Sequence, residues 1–205
     1  MPTELFTIHS ANPQKRMMSL IASKIRDGAV IIFPTESGYS IGTALENKKG
    51  VEKIRKLRKL SKRHDFTLLI DSFANIGEFA KLDNSAFRLM KRVTPGPYTF
   101  ILEATKQVPN RLVHPKKKTI GIRLSPNIFI QNLLLELSEP LMSVSLIVDN
   151  FEFYSGQDVF DLLKNQVDIV IDSGNCLTKP TTVLDFTKNP YELIREGTGD
   201  TSAIF

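Results

Sequence analysis

The chain has 205 residues, 41% of them hydrophobic and 24% charged, with a formal charge of +5. This is enough apolar material for the core of one domain, and it excludes a disordered chain. No apolar run approaches the roughly 20 residues of a membrane helix. The opening Met1-Pro2-Thr3-Glu4-Leu5-Phe6 has no positive stretch followed by an apolar one, so no signal peptide is expected. Cys176 is the only cysteine. One thiol cannot form an internal disulfide, so we read a reducing, cytoplasmic setting with Cys176 as a packing residue.

In chain order, Asn12-Pro13 predicts a helix start, with Asn as cap and Pro at the first helical position. Met17, Leu20, Ile21 and Ile25 continue at helical spacing, and Gly28 closes the helix. Ala29 to Phe33 predicts a strand buried on both faces. Pro34 stops it, and Thr35-Glu36-Ser37-Gly38-Tyr39 reads as a loop at a strand end, where open α/β sheets bind ligands. Between Lys48 and Arg63, nine Lys or Arg stand against one acid, Glu52, so this segment carries +8 and the rest of the chain −3. Val51, Ile54 and Leu57 give that segment one apolar helical stripe. A local positive surface attracts phosphate, on a nucleotide or a nucleic acid.

Strands are expected at 66–70 and 98–103, around a helix over 84–93 and the turn Thr94-Pro95-Gly96-Pro97. Lys116-Lys117-Lys118 leads into an alternating strand at 119–124. Ser125-Pro126 is expected to cap a helix to about Leu137. A strand follows over 141–148, then a short helix capped by Asp158, then strands at 167–171, 182–185 and 193–195. Several strands follow one another without helices, which predicts a mixed twisted sheet rather than a pure alternating fold. Neither phosphate-binding glycine motif occurs, nor a nucleophile elbow. The three histidines, His9, His64 and His114, have no metal spacing. A phosphate site would then need side-chain cations and hydroxyls.

Taken together, these segments resemble the YrdC/YciO family. Pro34-Thr35-Glu36-Ser37-Gly38-Tyr39-Ser40-Ile41-Gly42 is similar to its PTE-x-x-Y-x-x-G loop. In the family's order follow Phe66-Thr67-Leu68-Leu69, Pro95-Gly96-Pro97-Tyr98-Thr99, Thr119-Ile120-Gly121-Ile122-Arg123, Ser143-Val144-Ser145, Thr181-Thr182-Val183-Leu184-Asp185 and Ile194-Arg195-Glu196-Gly197. The match runs over about 12–200 and is closest to the YciO branch. It implies one α/β (α+β) domain over 1–205, a twisted open mixed sheet with helices enclosing a large basic groove. It implies synthesis of threonylcarbamoyl-AMP from ATP, L-threonine and bicarbonate with Mg2+, for threonylcarbamoyladenosine modification of tRNA. Whether this chain is such an enzyme stays open; the alternative is a non-catalytic protein binding tRNA or double-stranded RNA.

The resemblance assigns residues too. Thr35, Arg123, Ser143 and Thr181 are expected at L-threonine. Arg58, Thr119, Ser145 and Arg195 are expected at the nucleotide, with Arg195 a buried arginine aimed at phosphate. Lys53, Lys56, Lys59, Lys62 and Arg63 form the expected RNA or phosphate patch. No residue is assigned as a catalyst and none as a metal ligand. Where the family has a K-x-R pair, this chain has Arg58 and Leu60. Its histidine near threonine is Ile70 here, and the Asn of its S-x-S-x-N segment is Ile147. These exchanges imply a drier site that holds ATP phosphates less firmly.

Overall fold

A computed structural model describes residues 2–61, 63–149, 151–176 and 179–204. Its helices are α1 Lys15–Arg26, α2 Lys48–Leu57, α3 Ile76–Phe79, α4 Asn84–Val93, α5 Ile128–Leu137 and α6 Gly156–Leu163. Its strands are β1 Glu4–Thr7, β2 Ile31–Thr35, β3 Gly38–Ala44, β4 Thr67–Leu69, β5 Tyr98–Glu103, β6 Thr119–Arg123, β7 Leu141–Ser145, β8 Ile169–Asp172, β9 Thr182–Asp185 and β10 Glu192–Arg195. All ten strands join one mixed sheet in the order β1-β8-β2-β3-β7-β4-β6-β5-β9-β10. No helix among the described residues is long and apolar enough to cross a membrane.

The first and third strands correct the sequence reading. β1 was not expected; it pairs in parallel with β8 at the sheet edge. Pro34 does not stop the strand, and the segment read as a loop from Thr35 to Tyr39 is a hairpin: β2 runs through Pro34 to Thr35, and Thr35 pairs with Gly38 across a two-residue turn of Glu36 and Ser37. Gly38 has φ +105°, a conformation that glycine adopts without strain. β3 is buried along its whole length, with Tyr39 and Ile41 in the core and Ser40 on the opposite face.

The predicted caps also move. α1 starts after Gln14, so Asn12 and Pro13 lie outside the helix, and α5 is capped by the Asn127 side chain rather than by Ser125. α6 is capped by Ser155, with Asp158 as the reciprocal partner in a capping box. Asp158 thus serves the helix start from inside it.

The two sheet faces are covered unequally. Met18, Ile21 and Ile25 of α1 and Phe129, Ile130 and Leu133 of α5 pack on Ile31, Phe33, Leu69 and Leu141. On the other face, α2 (Val51, Ile54), α4 (Met90) and α6 (Val159) cover Ile32, Ile41, Leu68, Phe100, Ile122, Met142 and Leu184. Each fully buried chain of this size contributes about 1.5–3 kcal/mol. Successive strand residues alternate between faces. Leu141 and Leu69 point toward α1 and α5, so Ser143, Ser145 and Thr67 point to that same side. There the α1–α5 cover ends and small polar residues replace the apolar ones.

Candidate functional site: a hydroxyl-floored cleft with two arginines

That uncovered stretch is the floor of a cleft of about 450 Å³. Ser40 of β3, Ser143 and Ser145 of β7, Thr67 of β4, Gly121 of β6, Thr99 of β5 and Thr181 before β9 line it. Register brings them together, since Ser40 pairs with Ser145, and Thr67 pairs with both Ser143 and Gly121. Gly121 keeps the floor open, because a Cβ there would sit 2.7 Å from Thr67 Oγ1. Sequence reasoning named Ser143, Ser145 and Thr181. It missed Ser40, because β3 was not seen as a strand, and Thr67, whose strand was expected but whose cross-strand neighbours Ser143 and Gly121 were not.

Arg123 anchors one end of the cleft. It sits on an interior strand and is 5% exposed, not an exposed edge residue. Its Nε donates to Glu36 Oε1 at 3.0 Å, and its Nη2 donates to Thr35 Oγ1 at 3.0 Å and Ser37 Oγ at 2.7 Å. Ser125 donates to the other oxygen of Glu36. Thr35 Oγ1 donates in turn to the Gly38 carbonyl at 2.7 Å. The hairpin turn is thus built around the guanidinium, and Arg123 still lines the cleft. Glu36 is the part of this constellation that sequence reasoning left without a role. Cys176 is buried beneath it, its thiol donating to the Thr35 carbonyl at 3.4 Å. Burial pushes that thiol above its ordinary pKa, as suits a packing residue.

Arg195 stands at the other wall. It is exposed, which corrects the expectation of a buried arginine: β10 is an edge strand, exposed along its length. Its Nε and Nη2 donate to the Thr181 carbonyl at 3.1 and 3.0 Å, and Nη2 also to Thr181 Oγ1 at 3.2 Å. No carboxylate pairs with Arg195 among the described residues. Burial and then the charge of Arg123 hold its pKa below the usual arginine range. Two guanidiniums facing one cleft, one of them without a paired carboxylate among the described residues, suit an anionic group chemically.

Arg58, at the C-terminal end of α2, reaches across to β7. Its Nε donates to the Ser145 carbonyl at 2.7 Å and its Nη1 to the Ile147 carbonyl. It lines the cleft beside His64 and Asp65. Thr119 is buried and donates to Asp65 at 3.3 Å, one step back from the lining residues. Of the three exchanged positions, Leu60 packs on the core, Ile70 is buried within it, and only Ile147, 60% exposed, lines the cleft. A larger neighbouring lobe of about 760 Å³ shares Ser145, Ile147 and Arg195 with it, and adds Tyr39, Val148, Phe151, Phe153 and Pro180.

The basic run is not the wall of this cleft; Arg58 is the one member of it that lines the site among the described residues. Lys53 pairs with Asp168 at 3.1 Å and Lys59 with Asp149 at 3.1 Å. Arg55 lies over the Phe66 ring at 4.5 Å and donates to the carbonyls of Ser61 and Arg111. Lys48, Lys49, Lys56 and Arg63 remain on the outer surface, and Lys62 lies outside the described residues. The contact from Arg55 to Arg111 ties α2 to the segment that carries the exposed Lys116, Lys117 and Lys118.

A mixed open α/β sheet whose hydroxyl-rich floor meets arginine side chains has the chemistry to suit a small anionic ligand. The family model described as Telomere recombination, which spans Sua5, YciO and YrdC proteins, matches residues 23–197. The chain belongs to the Sua5/YciO/YrdC family. It is 43% identical to YciO of Escherichia coli over 97% of both chains, and the crystal structure of that protein overlays with a TM-score of 0.95 at 41% identity, covering 99% of this chain and all of that one. A putative threonylcarbamoyl-AMP synthase of Methanocaldococcus jannaschii is 26% identical over 95% of this chain and 93% of its own length. The Pyrococcus abyssi Sua5 structure complexed with L-threonine shares the fold, with a TM-score of 0.87 at 24% identity, over 95% of this chain and 58% of that one.

Proposed function

We propose that the cleft binds L-threonine and an adenine nucleotide, and that the chain forms threonylcarbamoyl-AMP from ATP, L-threonine and bicarbonate to supply tRNA modification. The observation that carries this reading is the convergence of Arg123 and the unpaired Arg195 on one hydroxyl-floored cleft. Kinship with proteins named threonylcarbamoyl-AMP synthases supports it. Arg123 and Thr35 hold the amino-acid carboxylate, with Ser143 and Thr181 at its polar groups. Ser145 and Arg195, common to both lobes, hold the phosphate, and the aromatic lobe receives the base.

The chemistry needs positioning and charge stabilisation more than acid–base groups. The threonine amine attacks bicarbonate, water leaves, and the carbamate oxygen attacks the α-phosphorus as pyrophosphate departs. Arg195 and Arg58 lower the cost of the charge spread over the phosphoryl oxygens. Magnesium, if bound with ATP, would supply charge neutralisation at the phosphates.

Incubating the protein with ATP, magnesium, L-threonine and bicarbonate is expected to yield threonylcarbamoyl-AMP and pyrophosphate, both lost when any one substrate is omitted. No product, under conditions where a synthase of the family works, would overturn the enzymatic part and leave a binding protein.

A second reading has its own observation, the outer basic surface of α2 with Lys116, Lys117 and Lys118. That surface suits the phosphates of tRNA or double-stranded RNA. Replacing Lys48, Lys49, Lys56 and Arg63 by Gln is expected to flatten the salt dependence of RNA binding by about three to four in slope and to leave AMP binding unchanged. An RNA affinity unmoved by the four changes, measured by filter binding from low to high salt, would remove this reading.

A further inference from the structure

The cleft holds a further titratable side chain that no motif pointed to. His64 lies in the segment between α2 and β4 and lines the cleft next to Arg58, Asp65, Thr67 and Gly121. Its ring meets Phe66 edge-on at 5.7 Å and 81°. Among the described residues its two ring nitrogens make no hydrogen bond, and it is not sealed from the cleft. Buried polar groups are ordinarily paired, so a half-buried imidazole with both nitrogens free in an anion cleft is ready for an incoming ligand.

We propose that His64 and Arg58 form a polyphosphate-binding corner of the cleft, and that His64 takes up a proton when a phosphate chain binds there. The inference rests on the nucleotide-binding reading. Three charged groups face the ring: Arg58 and Arg55 from α2, and Asp65 from its own segment. Burial and then Arg58 hold the His64 pKa below its ordinary value of 6.5, with Asp65 opposing and Arg55 adding. The neutral ring is therefore favoured in the free protein. Arg58 cannot move in alone, because two of its nitrogens already serve the Ser145 and Ile147 carbonyls. A phosphate oxygen at the corner reverses the field at His64 and favours the imidazolium. The sign follows from linkage. Bound-state pKa exceeds free-state pKa, so affinity rises as pH falls through the bound midpoint and levels off below the free one.

The test follows the His64 ring by NMR as pH is varied, with and without saturating ATP; the signal is identified by its loss in His64→Gln. The midpoint is expected to rise by at least about one pH unit with ATP, equivalent to a tenfold change in affinity across the window. His64→Gln should weaken ATP by about 10-fold at pH 6.5 and far less at pH 8.5, while AMP, which lacks the phosphate chain, changes little. ATP that binds without moving the His64 midpoint overturns the proposal and spares the nucleotide reading. A protein that binds neither ATP nor AMP overturns both.

Discussion

Replacing Arg123 by Met is expected to cost about 3–5 kcal/mol of stability, the largest single effect in the molecule's site, and to abolish L-threonine binding. Arg123 is 5% exposed and Glu36 15%, so removal of one partner leaves a carboxylate almost out of water with only Ser125 as donor. The turn suffers as well, since Nη2 bonds to both the Thr35 and Ser37 hydroxyls. Joint replacement of Arg123 by Met and Glu36 by Leu should restore much of the stability, because two apolar groups of similar size leave no buried charge behind. It should not restore threonine binding. Denaturant unfolding of the parent, both single variants and the double variant separates these terms. A single Arg123→Met variant within about 1 kcal/mol of the parent would mean that water reaches Glu36 and that the pair does not organise the turn.

Arg195→Ala is expected to act in the opposite way, weakening AMP and ATP by about 10- to 100-fold with a stability change of no more than about 1 kcal/mol. It sits on an exposed edge strand, and its partly buried guanidinium bonds only to Thr181 among the described residues. The neighbouring Arg123 charge works against it, and a phosphate between the two relieves that repulsion. Arg195→Lys should recover the charge but not the planar fork, and fall between the two. Titration calorimetry with AMP measures the affinity, and thermal unfolding checks the fold. Unchanged AMP affinity in Arg195→Ala would remove the arginine from the nucleotide site and, with it, the shared wall of the two lobes.

The exchanged positions take on separate meanings in three dimensions. Leu60 and Ile70 serve the core, so their apolar character stabilises the fold and says little about the ligand. Ile147 is the one that faces the cleft, at the border of the aromatic lobe. The titratable side chain beside Arg58 in the cleft is His64, four residues beyond the leucine of the exchanged pair.

Much of the outline was legible in the chain itself. Local apolar runs such as 29–33, 66–70 and 119–124, the helical stripes of α1 and α2, and the ordered motifs from Thr35 to Arg195 depend on near neighbours, and they point to the mixed sheet and to both site arginines. β3 was illegible, because its burial comes from strands far away in sequence: Ser40 pairs with Ser145, and Gly42 with Ser143. Without β3, the hydroxyl floor could not be assembled, and the Thr35 turn read as a loop. Charge has a related limit. A run of nine cations states only a sum, whereas packing against Phe66, Asp168, Asp149 and the β7 carbonyls decides which of them stay free. The chain by itself determined most of the helices and strands, though not β1 or β3, and which residues carry the family pattern, because those depend on short-range periodicity and residue chemistry. The tertiary structure alone decided that Glu36 is buried against Arg123, that Arg195 is left without a counter-ion, and that His64 opens into the cleft, because each depends on contacts between segments distant in sequence.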